Sequence, residues 1–307
     1  MQEESFEVQY TQEGERLDKV LSEIYPDFSR SFFQKLIKDK QIQVNGAVQK
    51  ASYPVHTEDL IRVTIPGAVE TTIEPENIPL DILYEDNDVL IVNKPKGMVV
   101  HPSAGHYSGT LVNAIMYHCK DSLSGINGQI RPGIVHRIDM DTTGSLIVCK
   151  NDESHVNIAE QIKEHTVNRI YVGIVCGNVT EDEGTIEGAI GRHPVDRKKM
   201  AVNEKNGKPA ITHYKVLERF GNYTYMQFQL ETGRTHQIRV HMASIGHPLL
   251  GDTLYSSGRS PFKHLQGQTL HAKTIGFVHP KSGEYMEFSA PLPEYFDNLL
   301  KLLKSRS

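Results

Sequence analysis

Nothing in the chain stays apolar long enough to span a bilayer, and no basic-then-apolar leader opens it. A cytoplasmic protein without a membrane partner is therefore expected. Cysteine is scarce: Cys119, Cys149 and Cys176 lie far apart and make no C-x-x-C pair. With no leader, this implies a reducing compartment and argues against disulfides and zinc, so no metal is assigned. There is no recognisable repeat and no low-complexity tract. A general excess of positive charge is missing too. The formal net charge of -5 argues mildly against a protein that is basic throughout, as general nucleic-acid binders are.

What positive charge there is lies in patches, and local patches determine phosphate contact. Between Phe28 and Lys50 stand Arg30, Lys35, Lys38, Lys40 and Lys50 against Asp39 alone. Between Arg192 and Lys208 stand Arg192, Arg197, Lys198, Lys199, Lys205 and Lys208 against Asp196 and Glu204.

At 307 residues the chain can hold roughly two domains. After a polar tail, Arg16–Tyr25 carries Leu17, Val20, Leu21 and Ile24 at helical spacing. Ser29 suits the N-cap of a second helix with Phe32, Phe33, Leu36 and Ile37 on its apolar side. Ile42-Gln43-Val44 runs into Asn45-Gly46, a strong hairpin signal, so a partner strand is expected from Ala47 onward. Leu60–Ile65 alternates as another strand, and Pro66, Gly67, Pro75 and Pro79 mark a linker. The chain thus divides into a small α/β unit, residues 1–75 with a core at 14–65, and a larger unit, residues 76–307. In the larger unit strands are expected at 82–85, 88–93, 145–150, 169–176, 212–219, 223–231, 271–278 and 285–289. Helices are expected at 110–119, 153–164, 235–245 and 293–304. Strand runs broken by helices, without regular βαβ alternation, predict an α+β domain with a largely antiparallel sheet.

The most informative run is Gly133-Ile134-Val135-His136-Arg137-Ile138-Asp139-Met140-Asp141-Thr142-Thr143-Gly144, which leads into the apolar strand Ser145–Cys149. Stripping an ionised Asp of water costs several kcal/mol unless a cation or donors replace the solvent. Asp141 can serve the turn by accepting bonds from backbone N–H groups, whereas Asp139 has no such role. The segment from His136 to Gly144 resembles the signature of the RluA family of RNA pseudouridine synthases. The usual form there is His-Arg-Leu-Asp, two residues, Thr-Ser-Gly, and this chain has Ile138 for Leu and Thr143 for Ser. It is most similar to the RluD branch, which modifies large-subunit ribosomal RNA. The segments Arg16–Leu21, Ser29-Arg30-Ser31 and Ile42–Gly46 resemble the alpha-L RNA-binding motif.

These resemblances imply a catalytic domain with a mixed, mainly antiparallel sheet and a central cleft, plus a small N-terminal RNA-binding domain. They also imply an isomerase that converts specific uridines of large-subunit ribosomal RNA to pseudouridine, alone or in a pre-ribosomal particle. The bond from ribose C1′ to uracil N1 breaks, the base turns, and C5 joins C1′. Nothing is oxidised and no group is donated, so no cofactor is required. A monomer suffices. The family's catalytic aspartate falls on Asp139, as a nucleophile at C1′ or C6 or as the base of a glycal route. A carboxylate with an ordinary pKa near ~3.9 is ionised at neutral pH, and burial would undo that unless a cation compensates. Leu230-Glu231-Thr232-Gly233-Arg234-Thr235-His236-Gln237-Ile238-Arg239-Val240-His241 resembles the family segment that supplies this cation, on Arg239. Arginine stays charged when desolvated and can grip a carboxylate through two bonds. On one helix Arg234 and Arg239 would diverge by about 140°, so only one faces Asp139. From the residues alone, a basic helix with packed or surface histidines is an equal alternative.

In Asn168-Arg169-Ile170-Tyr171 the family's active-site tyrosine falls on Tyr171, which would stack on the flipped uracil. By itself a strand tyrosine is most often a packing residue. Arg137, two before Asp139, is implied to fill the gap left by the extruded base, its alternative being a pair with Asp141 or a phosphate. Asn93–Pro102 resembles a segment that buttresses the site floor, and Lys94 there could touch phosphate. Arg30, Lys35 and Lys38 are assigned to RNA binding, although lysines on a helix are usually just its solvated face. Arg192, Arg197 and Lys198 are assigned to a basic loop that grips an RNA stem, with a solvated charge run as the alternative.

Two other functions stay open: a synthase acting on another RNA such as tRNA, and a non-catalytic RNA-binding ribosome-assembly factor. An N-glycosidase would need a second carboxylate, and Asp141 is the one nearby. No G-x-S-x-G elbow occurs.

Overall fold

A computed structural model describes residues 2–26, 30–65, 73–103, 105–120, 122–126, 132–256, 262 and 265–306. The expected N-cap Ser29 and the linker residues Pro66 and Gly67 lie outside them. The chain divides into two compact units, Met1–Thr71 and Thr72–Ser307.

The first unit comprises β1 (Gln2–Glu7), α1 (Leu17–Ile24), α2 (Arg30–Lys38), β2 (Ile42–Val44) and β3 (Leu60–Ile65). Its sheet order is β1-β3-β2, antiparallel throughout. Two expectations are corrected here. The polar tail contains β1, an edge strand held to β3 by main-chain bonds that need no apolar pattern. The strand paired with β2 is β3, not a segment starting at Ala47, which makes only a bridge to Val44 before the chain departs. The turn between them suits Asn45-Gly46, whose φ values of 51° and 79° are both left-handed. The helices bury Leu17, Val20, Leu21, Phe33, Leu36 and Ile37 against Ile42, Val44, Ile61 and Val63. The buried Asp18 accepts bonds from Arg16, Arg30 and Gln34. Burial works against its charge, yet these donors hold it well below the usual carboxylate range.

The second unit runs β4 (Ile82–Glu85), β5 (Val89–Lys94), α3 (Leu111–Cys119), β6 (Thr143–Cys149), α4 (Asp152–Lys163), β7 (Asn168–Cys176) and β8 (Glu183–Glu187). It continues with β9 (Ile190–Arg192), β10 (Met200–Val202), β11 (Ile211–Arg219), β12 (Tyr223–Leu230), α5 (Gln237–Ser244), β13 (Leu270–Val278), β14 (Tyr285–Ser289) and α6 (Glu294–Lys304). Among the described residues one sheet has the order β4-β5-β6-β13-β7-β12-β11-β8, with β14 on β13. Its pairs are antiparallel except β6 with β13. This is the mixed, mainly antiparallel sheet expected of an α+β domain. Strands β8, β9 and β10 were not anticipated, and β9 and β10 form a separate hairpin.

Both faces of the central strands are covered, which explains their nearly continuous apolar runs. Leu90, Val92, Leu146 and Val148 face one side with Leu111, Val112 and Ile115 of α3. Val89, Ile91, Ile147 and Cys149 face the other with Ile158 of α4 and Phe277 of β13. Truncating any of these aliphatic side chains to Ala would cost about 2–5 kcal/mol. Among the described residues no helix is long and apolar enough to cross a membrane.

Candidate active site

Asp139 sits on the loop entering β6, and that loop is fixed from several directions. Gly144 has φ of 111° and faces the Ala272 backbone where a Cβ would stand, so the β6–β13 pairing requires glycine there. Thr143 Oγ1 lies 2.8 Å from His271 Nδ1, and Gln268 Nε2 donates to Thr142 Oγ1 at 3.1 Å. The turn closes through the main chain, Thr142 N donating to the Asp139 carbonyl at 3.1 Å. His136 Nε2 accepts from Ile147 N at 3.0 Å, and burial with the nearby Arg169 charge pushes its pKa down to about 3. This neutral imidazole is a strut between the loop and β6.

Lys94 corrects one expectation. It is only 1% exposed and donates to the carbonyls of Pro95, Met98 and Met140 at 2.8, 2.8 and 2.9 Å, so it does not reach phosphate. Burial pushes its pKa down to about 7, opposed by Asp141 and then Asp139. Three acceptor carbonyls match the three hydrogens of an ammonium group. Lys94 therefore ties the strand β5 exit to the residue after Asp139.

The Asp139 carboxylate, 17% exposed, accepts from Arg239 Nη1 at 2.9 Å across 100 residues of sequence. Arg239 is buried, and its other edge grips Asp252 in a fork, Nε to Oδ2 at 2.7 Å and Nη2 to Oδ1 at 3.0 Å. Burial would lower the Arg239 pKa, but the bonds to Asp252 and the charge of Asp139 raise it above its ordinary value. Asp252 is sealed, accepting also from Leu254 N and Tyr255 N. Its position excludes it as the second carboxylate a glycosidase would expose.

α5 begins at Gln237, two residues after the expected start, and Arg234 precedes it while Arg239 lies on it. Arg234 Nε instead donates to the Pro209 carbonyl at 3.0 Å. His236 occupies a left-handed position, φ 58°, at the helix start. The Tyr255 hydroxyl accepts from Met200 N at 2.8 Å and lies 2.8 Å from His236 Nδ1. The other ring nitrogen, Nε2, lies 3.8 Å from Asp139 Oδ1. Burial lowers the His236 pKa against the pull of Asp139, keeping the ring neutral.

Above this cluster is a cavity of about 490 Å³ whose walls include Arg137, Asp139, Arg169, Tyr171, Leu230 and Arg239. That volume lies within the range of pockets that enclose a small ligand. Tyr171 is mostly buried, and burial raises its pKa. Arg137 is exposed at the mouth, with Ile138 turned into the core.

Residues 88–244 match the model of the RNA pseudouridylate synthase family, and residues 15–61 match the S4 domain. The chain belongs to the RNA pseudouridylate synthase family. An RNA pseudouridine synthase of Bacillus subtilis, YlyB, is 51% identical over 293 residues, 95% of each chain. The ribosomal large subunit pseudouridine synthase D of Pasteurella multocida is 43% identical over 313 residues, 98% of this chain and 95% of that one. The solved structure of human RNA pseudouridylate synthase domain containing 1 superposes with a TM-score of 0.57 at 26% identity, covering 79% of this chain and 98% of that one.

In this pseudouridine synthase fold, Asp139, Arg239, Tyr171 and Arg137 meet at one cavity. Arg30, Lys35 and Lys38 belong to the other unit. Lys35 and Lys38 lie on the exposed face of α2, while Arg30 is partly engaged with Asp18. Arg192, Arg197 and Lys198 are exposed at the β9–β10 turn, with Arg192 Nη1 bonding the Arg197 carbonyl at 3.1 Å. Asp252, Tyr255, His236 and Arg169 were not anticipated as site residues. A buried arginine needing more than one carboxylate was the signal available for Asp252. Asp86, Asp88 and His279 cluster at the β4–β5 turn, but Asp86 is occupied by Tyr84, His279 and two backbone N–H groups.

Proposed function

We propose that this synthase isomerises specific uridines of large-subunit ribosomal RNA, with Asp139 as the nucleophile. In this account Arg239 keeps the carboxylate ionised and aimed at the ribose. Tyr171 stacks on the extruded base, and Arg137 fills the gap left in the RNA. Residues 1–75 form an RNA-binding domain using Arg30, Lys35 and Lys38, and the catalytic domain spans 76–307. Arg192, Arg197 and Lys198 contact phosphates of the stem that carries the target. The enzyme works as a cytoplasmic monomer on RNA or a pre-ribosomal particle.

The observation that carries the catalytic assignment is the Asp139–Arg239 pair, 2.9 Å apart at a cavity also lined by Tyr171. Asp252 supports it by holding the far edge of the guanidinium, so Arg239 is positioned before substrate arrives. The ribosomal target is supported by the similarity to the Pasteurella multocida synthase along nearly the whole chain. The test is tritium release from C5-labelled uracil in ribosomal RNA transcripts and in transfer RNA. Release from large-subunit transcripts, with the base still attached to the chain, is expected. Release from transfer RNA alone would sink the ribosomal assignment, and free uracil would sink the isomerase.

A further inference from the structure

Arg169 is a buried cation for which Asp139 and Arg239 supply no explanation. Only 6% exposed, it lines the catalytic cavity, and Nη2 donates to the Glu231 carbonyl at 3.1 Å. Among the described residues its buried Nε has no hydrogen-bond partner and no carboxylate pairs with it. The space is built for it: a Cβ on Gly233 would stand 2.7 Å from Arg169 Nη1. Arg169 and Tyr171 alternate onto one face of β7, and the Tyr171 hydroxyl feels both Arg169 and Asp139. A guanidinium stripped of water without a counter-charge is costly, so its retention points to an anion that arrives with the ligand.

We infer that Arg169 is a catalytic residue that stabilises the negative charge on uracil once the base is detached. The inference rests on the assignment of Asp139 as nucleophile. As the Asp139 carboxylate bonds to C1′, the C1′–N1 bond breaks, and its electron pair goes to the base and spreads over N1, O2 and O4. C5 then bonds to C1′, Asp139 leaves as carboxylate, and the C5 proton is lost as N1 gains one. Arg239 does not neutralise the intermediate, because the buried Asp252 still holds its charge once Asp139 is bonded to C1′. A backbone phosphate fits less well: it is permanently charged and strongly hydrated, and the solvent-facing Lys163 on the cavity wall suits it better. Preformed donors aimed at developing charge are a large source of rate in such sites.

The test compares wild type, Arg169→Met, Arg169→Lys and Asp139→Asn on RNA carrying uridine or 5-fluorouridine at the target. Fluorine makes uracil a more stable anion, so the need for Arg169 shrinks. At saturating RNA, Arg169→Met is expected to lose about 100-fold in single-turnover rate, the scale for removing one such donor. Binding should stay within about twofold, and Arg169→Lys should recover part of the rate. On 5-fluorouridine RNA, followed by consumption of the modified nucleoside, the Arg169→Met loss should fall below about tenfold. The melting temperature of Arg169→Met should not drop, because a buried cation without a counter-ion is removed. Equal losses on both substrates, a rate loss that tracks a lowered melting temperature, or a salt-dependent binding defect with an unchanged saturating rate would each overturn the inference. An active Asp139→Asn would overturn the parent assignment instead, whereas inactive Asp139→Asn beside fully active Arg169→Met would remove this inference alone.

Discussion

Asp139 and Asp252 bind opposite edges of one guanidinium: Arg239 offers Nη1 to Asp139 at 2.9 Å and a two-bond fork to Asp252 at 2.7 and 3.0 Å. The fork fixes the plane of Arg239, and the remaining edge then fixes Asp139. Asp252→Asn should therefore lower single-turnover pseudouridine formation by about 10–100-fold with RNA affinity unchanged, because misplacing a reacting group by an ångström costs that much. It should also destabilise the fold by about 3 kcal/mol, the scale for breaking a buried ion pair. Full activity in Asp252→Asn would remove the positioning role.

Lys94 is expected to be structural. Lys94→Met leaves the carbonyls of Pro95, Met98 and Met140 without their shared donor, and losing such bonds costs about 1–3 kcal/mol each. Guanidinium unfolding should show a fall of several kcal/mol, while the RNA affinity of the folded fraction is retained. A stable Lys94→Met protein that binds RNA weakly would instead assign Lys94 to phosphate.

His136 and His271 make stability depend on pH. Burial lowers both, from 6.5 to about 3 and about 4 respectively. Below pH 6.5 the unfolded chain thus takes up protons that the folded chain refuses. Stability is full above that value and is lost as pH falls toward about 4, by up to about 1.4 kcal/mol per pH unit for each ring. Unfolding midpoints at pH 7.5, 6 and 5 should decline in that order. A midpoint that is flat from 7.5 to 5 would mean these rings are not held neutral.

The first unit's basic helix face makes an electrostatic prediction. Lys35→Ala with Lys38→Ala should weaken RNA binding and reduce the slope of log affinity against log salt by about 1.4, two charges at ~0.7 each for single-stranded contacts. The saturating rate should be unchanged. An unaltered salt slope would return these lysines to the solvated surface.

The parts of the fold legible in the sequence are those whose side chains record their surroundings. Val89–Lys94 and Thr143–Cys149 are apolar on both faces because both faces are buried, and their ends fell within two residues of expectation. β1 was illegible, since Gln2–Glu7 is held by backbone pairing and its side chains are mostly polar. The false partner after Ala47 arose because Asn45-Gly46 specifies a turn and says nothing about where the chain goes next. Asp139 and Arg239 were legible only through their motifs. Asp252 lies in a stretch without periodicity, and its pairing with Arg239 exists only in three dimensions. Arg169 stood beside Tyr171 in plain sight, yet strand alternation reveals a shared face and not the absence of a counter-ion.

The most direct test of the account is a comparison of Asp139→Asn with wild type on C5-tritiated large-subunit ribosomal RNA, following tritium release and RNA affinity together. Asn keeps the size of the side chain and removes its charge. Predicted is no release above background with affinity within about threefold of wild type, the residual contacts being those to phosphate. Normal release from Asp139→Asn would contradict the account at its centre.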